Sequence, residues 1–228
     1  MAGGKGTRIT SSRPKQFLEL NGKPVLLHTL EAFYRYSDKI NVILVLPRED
    51  LPTWDEITRI HHFQQPLIVQ AGGPTRFHSV KKGLDMIRDD DGLVAIHDGV
   101  RPLVGTDIIA ASFRLAKIHQ CAVACVPLKD SIRSMESVPD RLGAPVEKTR
   151  TVDRSLYRLI QTPQTFQVGL IKRAYSVQED PTLTDDASVA ESAGHSIFLF
   201  EGSYENIKIT TSEDLVIAEA LLTHRGTL

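Results

Sequence analysis

Four short apolar runs punctuate the first half of the chain, at residues 40–46, 67–70, 93–97 and 122–126. They are rich in Val, Ile and Leu and free of charge, the pattern of strands buried on both faces. Between them, residues 24–36, 50–63, 76–88 and 106–119 repeat their apolar positions at helical spacing. In the first of these Val25, Leu26, Leu30 and Phe33 share a face, and Pro24 suits a first helical turn. Thr106 reads as an N-cap, with Asp107 at the positive end of the helix dipole. Strand and helix alternating at this spacing predict an α/β fold with right-handed crossovers, a mostly parallel sheet and helices on both faces. In such sheets ligands collect at the carboxyl ends of the strands. Gly72-Gly73, His97-Asp98 and Lys129-Asp130-Ser131 all stand at such ends.

After Val126 the rhythm breaks. Residues 129–154 are polar, carry Pro139 and Pro145, and hold two alternating segments, 131–135 and 146–152. That pattern predicts a hairpin arm projecting from a single domain that spans residues 1–228. The tail returns to helices at 167–178 and 186–194, strands at 196–201 and 207–210, and a last helix at 212–222 capped by Ser212.

Composition narrows the function classes. A net charge of -1 over 228 residues gives no electrostatic footprint for nucleic acid or a membrane surface, so a phosphate ligand must be held by local cations. No apolar run approaches the roughly 20 residues of a membrane span, and no secretory signal precedes the first motif. Cys121 and Cys125 share one face of a predicted strand, too far apart to bridge, and read as core thiols in a reducing cytoplasm.

The candidate chemistry begins at Ala2-Gly3-Gly4-Lys5-Gly6-Thr7-Arg8, followed by Pro14-Lys15-Gln16-Phe17. Bare backbone lets successive N–H groups approach an anion, and Arg8 and Lys15 add cations at the same place. The spacing fits neither the dinucleotide fingerprint nor the Walker A loop, since Ile9 and Phe17 stand where glycines are needed. A phosphate loop of this third kind should follow a strand, yet only Met1 precedes it, and a truncated start is the expectation. Further along, Gly72-Gly73-Pro74-Thr75-Arg76 with Ser79 puts a second tight turn at a helix start, and His97-Asp98-Gly99-Val100-Arg101-Pro102 follows a strand.

These motifs, together with Pro14-Lys15-Gln16-Phe17-Leu18, Gln161-Thr162-Pro163-Gln164 and Thr184-Asp185-Asp186-Ala187-Ser188, run in order from residue 2 to about residue 220. In that order they resemble the cytidylyltransferases of sugar and polyol phosphates, in their methylerythritol phosphate branch. Gly99 and Val100 depart from the two alanines usual there, and Ser131 stands for the usual threonine.

The resemblance implies a Rossmann-like fold and transfer of CMP from CTP to 2-C-methyl-D-erythritol 4-phosphate, with magnesium on the triphosphate and pyrophosphate leaving. It implies that Ala2, Gly3, Gly4 and Gly6 cradle the triphosphate, and that Arg8 and Lys15 stabilise the five-coordinate phosphorus. Gly73, Arg76 and Ser79 are implied in cytosine and ribose recognition. Asp98 and Arg101 would contact ribose, acceptor or metal, while Arg154 and Lys208 would hold the attacking phosphate, aided by Ser131 and Thr184. The 129–154 arm is implied to cross a two-fold homodimer and lend Ser131 and Arg154 to the partner's site. No metal ligands are assigned. Ribitol 5-phosphate is the alternative acceptor, and a non-catalytic CTP-binding regulatory subunit the alternative of another class. The Gln161–Gln164 motif reads as a turn into a helix.

Overall fold

The computed structural model describes residues 1–2, 13–139 and 145–226. Gly3, Gly4, Gly6 and Arg8 lie outside the described residues. The chain opens with a small hairpin, β1 (Glu19–Leu20) and β2 (Lys23–Pro24), whose turn uses the positive φ of Asn21 and Gly22. There follow α1 (Val25–Tyr36), β3 (Ile43–Leu46), α2 (Leu51–Ile60), β4 (Ile68–Ala71), α3 (Arg76–Asp85), β5 (Leu93–Ile96), α4 (Thr106–His119) and β6 (Cys121–Pro127). The arm is β7 (Arg133–Pro139) paired with β8 (Pro145–Thr151), and the tail holds β9 (Arg158–Gln167), α5 (Val168–Ala174), α6 (Asp186–Ser192), β10 (Leu199–Glu201) and α7 (Ser212–Gly226).

The main sheet has the order β10-β6-β9-β5, and β3 pairs with β4 in a second, parallel sheet. β10 runs parallel to β6, while β9 is antiparallel to both β6 and β5, so β5 and β6 share one direction with β9 reversed between them. Alternate side chains of β6 enter two different cores. Cys121 and Val123 pack with Phe77, Val80 and Leu84 of α3, Leu170 and Ile171 of α5 and Val189 of α6. Ala122 and Ala124 pack with Phe33 of α1 and with Ile108 and Ile109 of α4. Period-two alternation along one strand thus seats helices on both faces. Each large apolar side chain so buried is worth about 1.5–3 kcal/mol. Both cysteines are buried and unbridged.

Met1 and Ala2 lie between the two sheets. The Ala2 N–H donates to the Val45 carbonyl at 3.0 Å, and the Gly99 N–H donates to the Met1 carbonyl at 2.7 Å. Gly99 must be bare for this approach, because a Cβ there would sit 2.9 Å from that of Ala2. Behind them an apolar cleft of about 380 Å³ separates β3 from β5 and is lined by residues such as Leu26, Leu30, Leu44, Val80 and Ile96. Among the described residues no helix is long and apolar enough to cross a membrane.

Four local expectations are corrected. Gln161–Gln164 is no turn into a helix but the middle of β9, the reversed strand, and helix α5 starts only after Gln167. Residues 207–210 form no strand; among the described residues the segment makes one main-chain bond to its neighbour, from the Ile209 N–H to the Val100 carbonyl. Gly105, not Thr106, occupies the cap of α4. At α7 the Thr211 hydroxyl accepts the Asp214 N–H, and Ser212 is the first helical residue.

Candidate active site

A pocket of about 170 Å³ opens where the two sheets meet, lined by Ala2, Lys15, Arg76, Ser79, Asp98 and Lys208. Six positions singled out in the sequence therefore converge from segments up to two hundred residues apart. Each is placed by its local chain. Lys15 starts a single 3-10 turn in which Gln16 and Phe17 point inward. Phe17 is buried, and the Gln16 amide donates to Asp50 Oδ2 at 2.8 Å, so the turn that carries Lys15 is anchored. Lys208 sits between Ile207 and Ile209, which both pack against the core of Leu103 and Val100. Extended alternation sends Lys208 the other way, into the pocket.

Gly73 and Ser79 form one device. The Ser79 hydroxyl accepts the Gly73 N–H at 3.0 Å and faces the Gly73 carbonyl at 3.3 Å, closing the turn into α3. A side chain at Gly73 would come within 2.4 Å of His78 Cβ. Thr75 caps α3, its hydroxyl accepting the His78 N–H.

Asp98 is the electrostatic centre. Its Oδ2 lies 2.9 Å from Lys208 Nζ and 3.3 Å from Arg101 Nε. Arg101 is itself buried and donates to the Asn206 carbonyl at 2.7 Å. Burial alone would raise the Asp98 pKa, but Lys208, Arg101 and Arg76 together hold it well below the usual carboxylate range. The Asp98 N–H donates to the Thr162 hydroxyl at 3.1 Å, and His97 Nδ1 lies 3.0 Å from the same oxygen. Strand β9, read from the sequence as a turn, is thus the floor under Asp98.

His97 is buried beneath this centre, and its pKa falls to about 3. Burial is the main cause; Asp98 opposes it, while Arg101 and the Met1 amine add to it. A base whose folded pKa is lowered destabilises the fold as pH drops, because the unfolded chain takes a proton the native one refuses. Between the ordinary 6.5 and about 3, stability should therefore decline as the solution is acidified. From pH 7 to pH 5 the expected loss through His97 is about 2 kcal/mol. Urea melts of the unaltered chain and of His97→Gln at the two pH values check this; equal losses in both would reject it.

Arg76 is held from behind by Asp186, with Nη1–Oδ1 at 2.9 Å and Nη2–Oδ2 at 2.6 Å. The sequence offered Asp186 only as a carboxylate at a helix start; nothing local to it indicated a partner 110 residues upstream. Gln16, which also lines the pocket, stood in a motif but carried no assigned role, and among the described residues its buried Oε1 has no hydrogen-bond partner.

Arg101 and Gly73 touch the lining residues Asp98 and Ser79 without lining the pocket, and three further expected residues lie elsewhere. Ser131 and Arg154 are exposed at the base of the arm, where Arg154 donates to the Lys129 carbonyl. Thr184 precedes α6 and does not line the pocket. Among the described residues no three His, Cys, Asp or Glu side chains converge as a metal cage, and Asp98 is the one carboxylate lining the pocket.

Residues 1–224 match the model of the family described as 2-C-methyl-D-erythritol 4-phosphate cytidylyltransferase. The chain is 47% identical over 222 residues to the enzyme of that name from Bacteroides thetaiotaomicron, covering 97% of each, and 46% identical to that of Bacteroides fragilis over the same share. It is similar to the crystal structure of 4-diphosphocytidyl-2C-methyl-D-erythritol synthase from Anaerococcus prevotii, with a TM-score of 0.76 and 27% identity over 94% of this chain and 96% of that one. Matched to the family model over residues 1–224 and 47% identical to a relative across 97% of its length, the chain belongs to the 2-C-methyl-D-erythritol 4-phosphate cytidylyltransferase family.

Proposed function

We propose that the chain transfers CMP from CTP to 2-C-methyl-D-erythritol 4-phosphate, in non-mevalonate isoprenoid precursor synthesis. The observation that carries this reading is the convergence of Lys15, Arg76, Asp98 and Lys208 on one pocket in a chain matched to the family over residues 1–224. An acceptor phosphate oxygen attacks the α-phosphorus, the bond from that phosphorus to the bridging oxygen breaks, and pyrophosphate leaves. No general base is needed, since the attacking phosphate is already an anion; positioning and charge stabilisation supply the catalysis. Lys15 would face the developing charge and Lys208 the incoming phosphate, while Asp98 keeps Lys208 in place until an anion arrives.

Magnesium would come with the nucleotide. One carboxylate is too few for a protein-built site, which fits an ion held mainly by triphosphate oxygens. So held, it would offset charge on the leaving pyrophosphate. The deciding experiment is pyrophosphate release with CTP, magnesium and either methylerythritol 4-phosphate or ribitol 5-phosphate. Release with the first alone supports the reading; release with the second alone moves the chain to the polyol branch. CTP binding without release from either would make it a silent binding subunit.

The same reading makes the molecule a homodimer with shared sites. In support, every residue of β8 and nearly all of β7 is exposed, and an isolated two-stranded hairpin is at best marginal in water. Beside the arm, Leu156 is 80% exposed, with Tyr157, Leu159, Ile160 and Met135 also open. An apolar patch of this kind marks an interaction surface. Leu156→Glu should weaken dimerisation by about a hundredfold or more, as a charge then meets a desolvated face. Sedimentation of both forms across a concentration series would show it, and a monomeric unaltered chain would reject the dimer.

A further inference from the structure

The Arg76–Asp186 pair is built with more care than a surface ion pair needs. Asp186 is fully buried, and its Oδ1 also accepts the hydroxyl of Tyr175, itself buried at the end of α5, at 2.6 Å. Helix α6 does not use Asp186 as its cap. That task falls to Asp185, whose carboxylate accepts the Ser188 N–H while the Ser188 hydroxyl accepts the Asp185 N–H. The helix start is fixed further by Gln164 of β9, which accepts the Ala187 N–H and donates to Asp185 Oδ2, both at 2.8 Å. Sheet, α5 and α6 thus all converge to set one carboxylate.

A buried ion pair is poor evidence of stabilisation, because apolar residues of similar volume often serve as well. Here one end of the pair is not sealed. The Arg76 side chain keeps about a third of its surface exposed (34%) and lines the pocket with Lys15, Asp98 and Lys208. A guanidinium carries five N–H donors in a rigid fork. Asp186 engages one donor on each terminal nitrogen and Tyr175 sits against the same fork, so the donors left for a ligand are those on the pocket side. Unclamped, a side chain of this length would lose rotamer freedom on binding.

We propose that Asp186, oriented by Tyr175, is a positioning residue for nucleotide recognition: it fixes the Arg76 fork so that its remaining donors face the nucleoside portion of the bound nucleotide. The inference rests on the reading of this pocket as the CTP site. Because Asp186 cancels the charge of Arg76, the fork acts through directional hydrogen bonds, and the attraction for the triphosphate falls to Lys15 and Lys208. The clamp should therefore matter as much for CMP as for CTP.

Four variants test it: Asp186→Asn, Tyr175→Phe, Arg76→Ala, and Arg76→Ala combined with Asp186→Asn. Asp186→Asn should raise the KM for CTP about tenfold, and the Kd for CMP by the same factor. Its kcat and its KM for the acceptor should stay within about twofold. Tyr175→Phe, the milder change, should give about a threefold rise and keep the fold intact if the first variant does not. The double variant should be no worse for CTP than Arg76→Ala alone, as expected when one residue acts only through the other. Three outcomes overturn the clamp: a lower Tm with unchanged CTP and CMP binding, tighter CTP binding from the uncovered cation, or penalties that add in the double variant. Failure of the unaltered chain to bind CTP in calorimetry overturns the pocket's assignment along with the clamp; unaltered CTP binding by Asp186→Asn overturns the clamp alone.

Discussion

Lys15→Ala should reduce kcat by about a hundredfold to a thousandfold while changing the KM for CTP by less than about threefold. The asymmetry follows from where the charge develops. In a bound triphosphate the negative charge would already be shared with a magnesium ion and solvent before any bond opens. As the bond to the leaving group opens, new charge accumulates on the bridging and equatorial oxygens, and a preorganised ammonium gains most at that moment. The local structure supports such preorganisation, for Lys15 stands on a turn whose next two residues are buried and, at Gln16, bonded to Asp50. Substitution at Lys15 leaves those anchors intact, so Tm should move by no more than about 2 °C. Steady-state kinetics paired with calorimetric CTP titration measure the two effects separately. Equal losses in affinity and turnover would mean that Lys15 only binds the ground state.

Much of this pocket was legible in the chain itself. Helix-period and strand-period patterns located α1 to α4 and β3 to β6 to within a few residues, because these elements are buried amphipathic or fully apolar segments. The motifs around Lys15, Arg76, Asp98 and Lys208 marked residues that do line the pocket. What escaped was non-local. Strand β9 carries Gln161, Thr162, Pro163, Gln164 and Thr165 in a run buried throughout, and polar residues with a proline resemble a turn. Its burial is stabilised by bonds that only the fold supplies: Thr162 to His97 and Asp98, Gln164 to α6, and Thr165 to Ser112. The pairing of Arg76 with Asp186 was invisible for the same reason. Residues 207–210 alternate as a strand does, but among the described residues Ile209 makes a single main-chain bond to Val100 and the segment pairs no further. Alternation there reports one buried face, which a strand also has, and does not require a ladder.

Asp98→Asn should be the most destabilising single change in the pocket, lowering stability by about 3 kcal/mol and kcat/KM by about a hundredfold or more. Asn keeps the shape and the N–H bond to Thr162, so the effect isolates the charge. Without it, buried Arg101 retains the Asn206 carbonyl but no counter-ion, and Lys208 loses the oxygen 2.9 Å away that holds it over the pocket. Removing one partner of a buried pair leaves an uncompensated charge, which costs more than the pair contributes. For a chain of this size the stability loss corresponds to a Tm lower by about 6–12 °C. The pH dependence supplies a second signature. Asp98 has a folded pKa depressed below its ordinary 3.8, so its stabilisation is complete above that value and disappears as pH falls through the folded pKa. The unaltered chain should therefore lose stability more steeply than Asp98→Asn on acidification below about pH 4, and the gap between their melting curves should narrow. Thermal melts from pH 7 to pH 3, with kinetics at pH 7, measure all three quantities. A Tm within about 2 °C and kcat/KM within about threefold of the unaltered chain would show that Lys208 and Arg101 need no carboxylate between them, and that Asp98 is not the centre of the site.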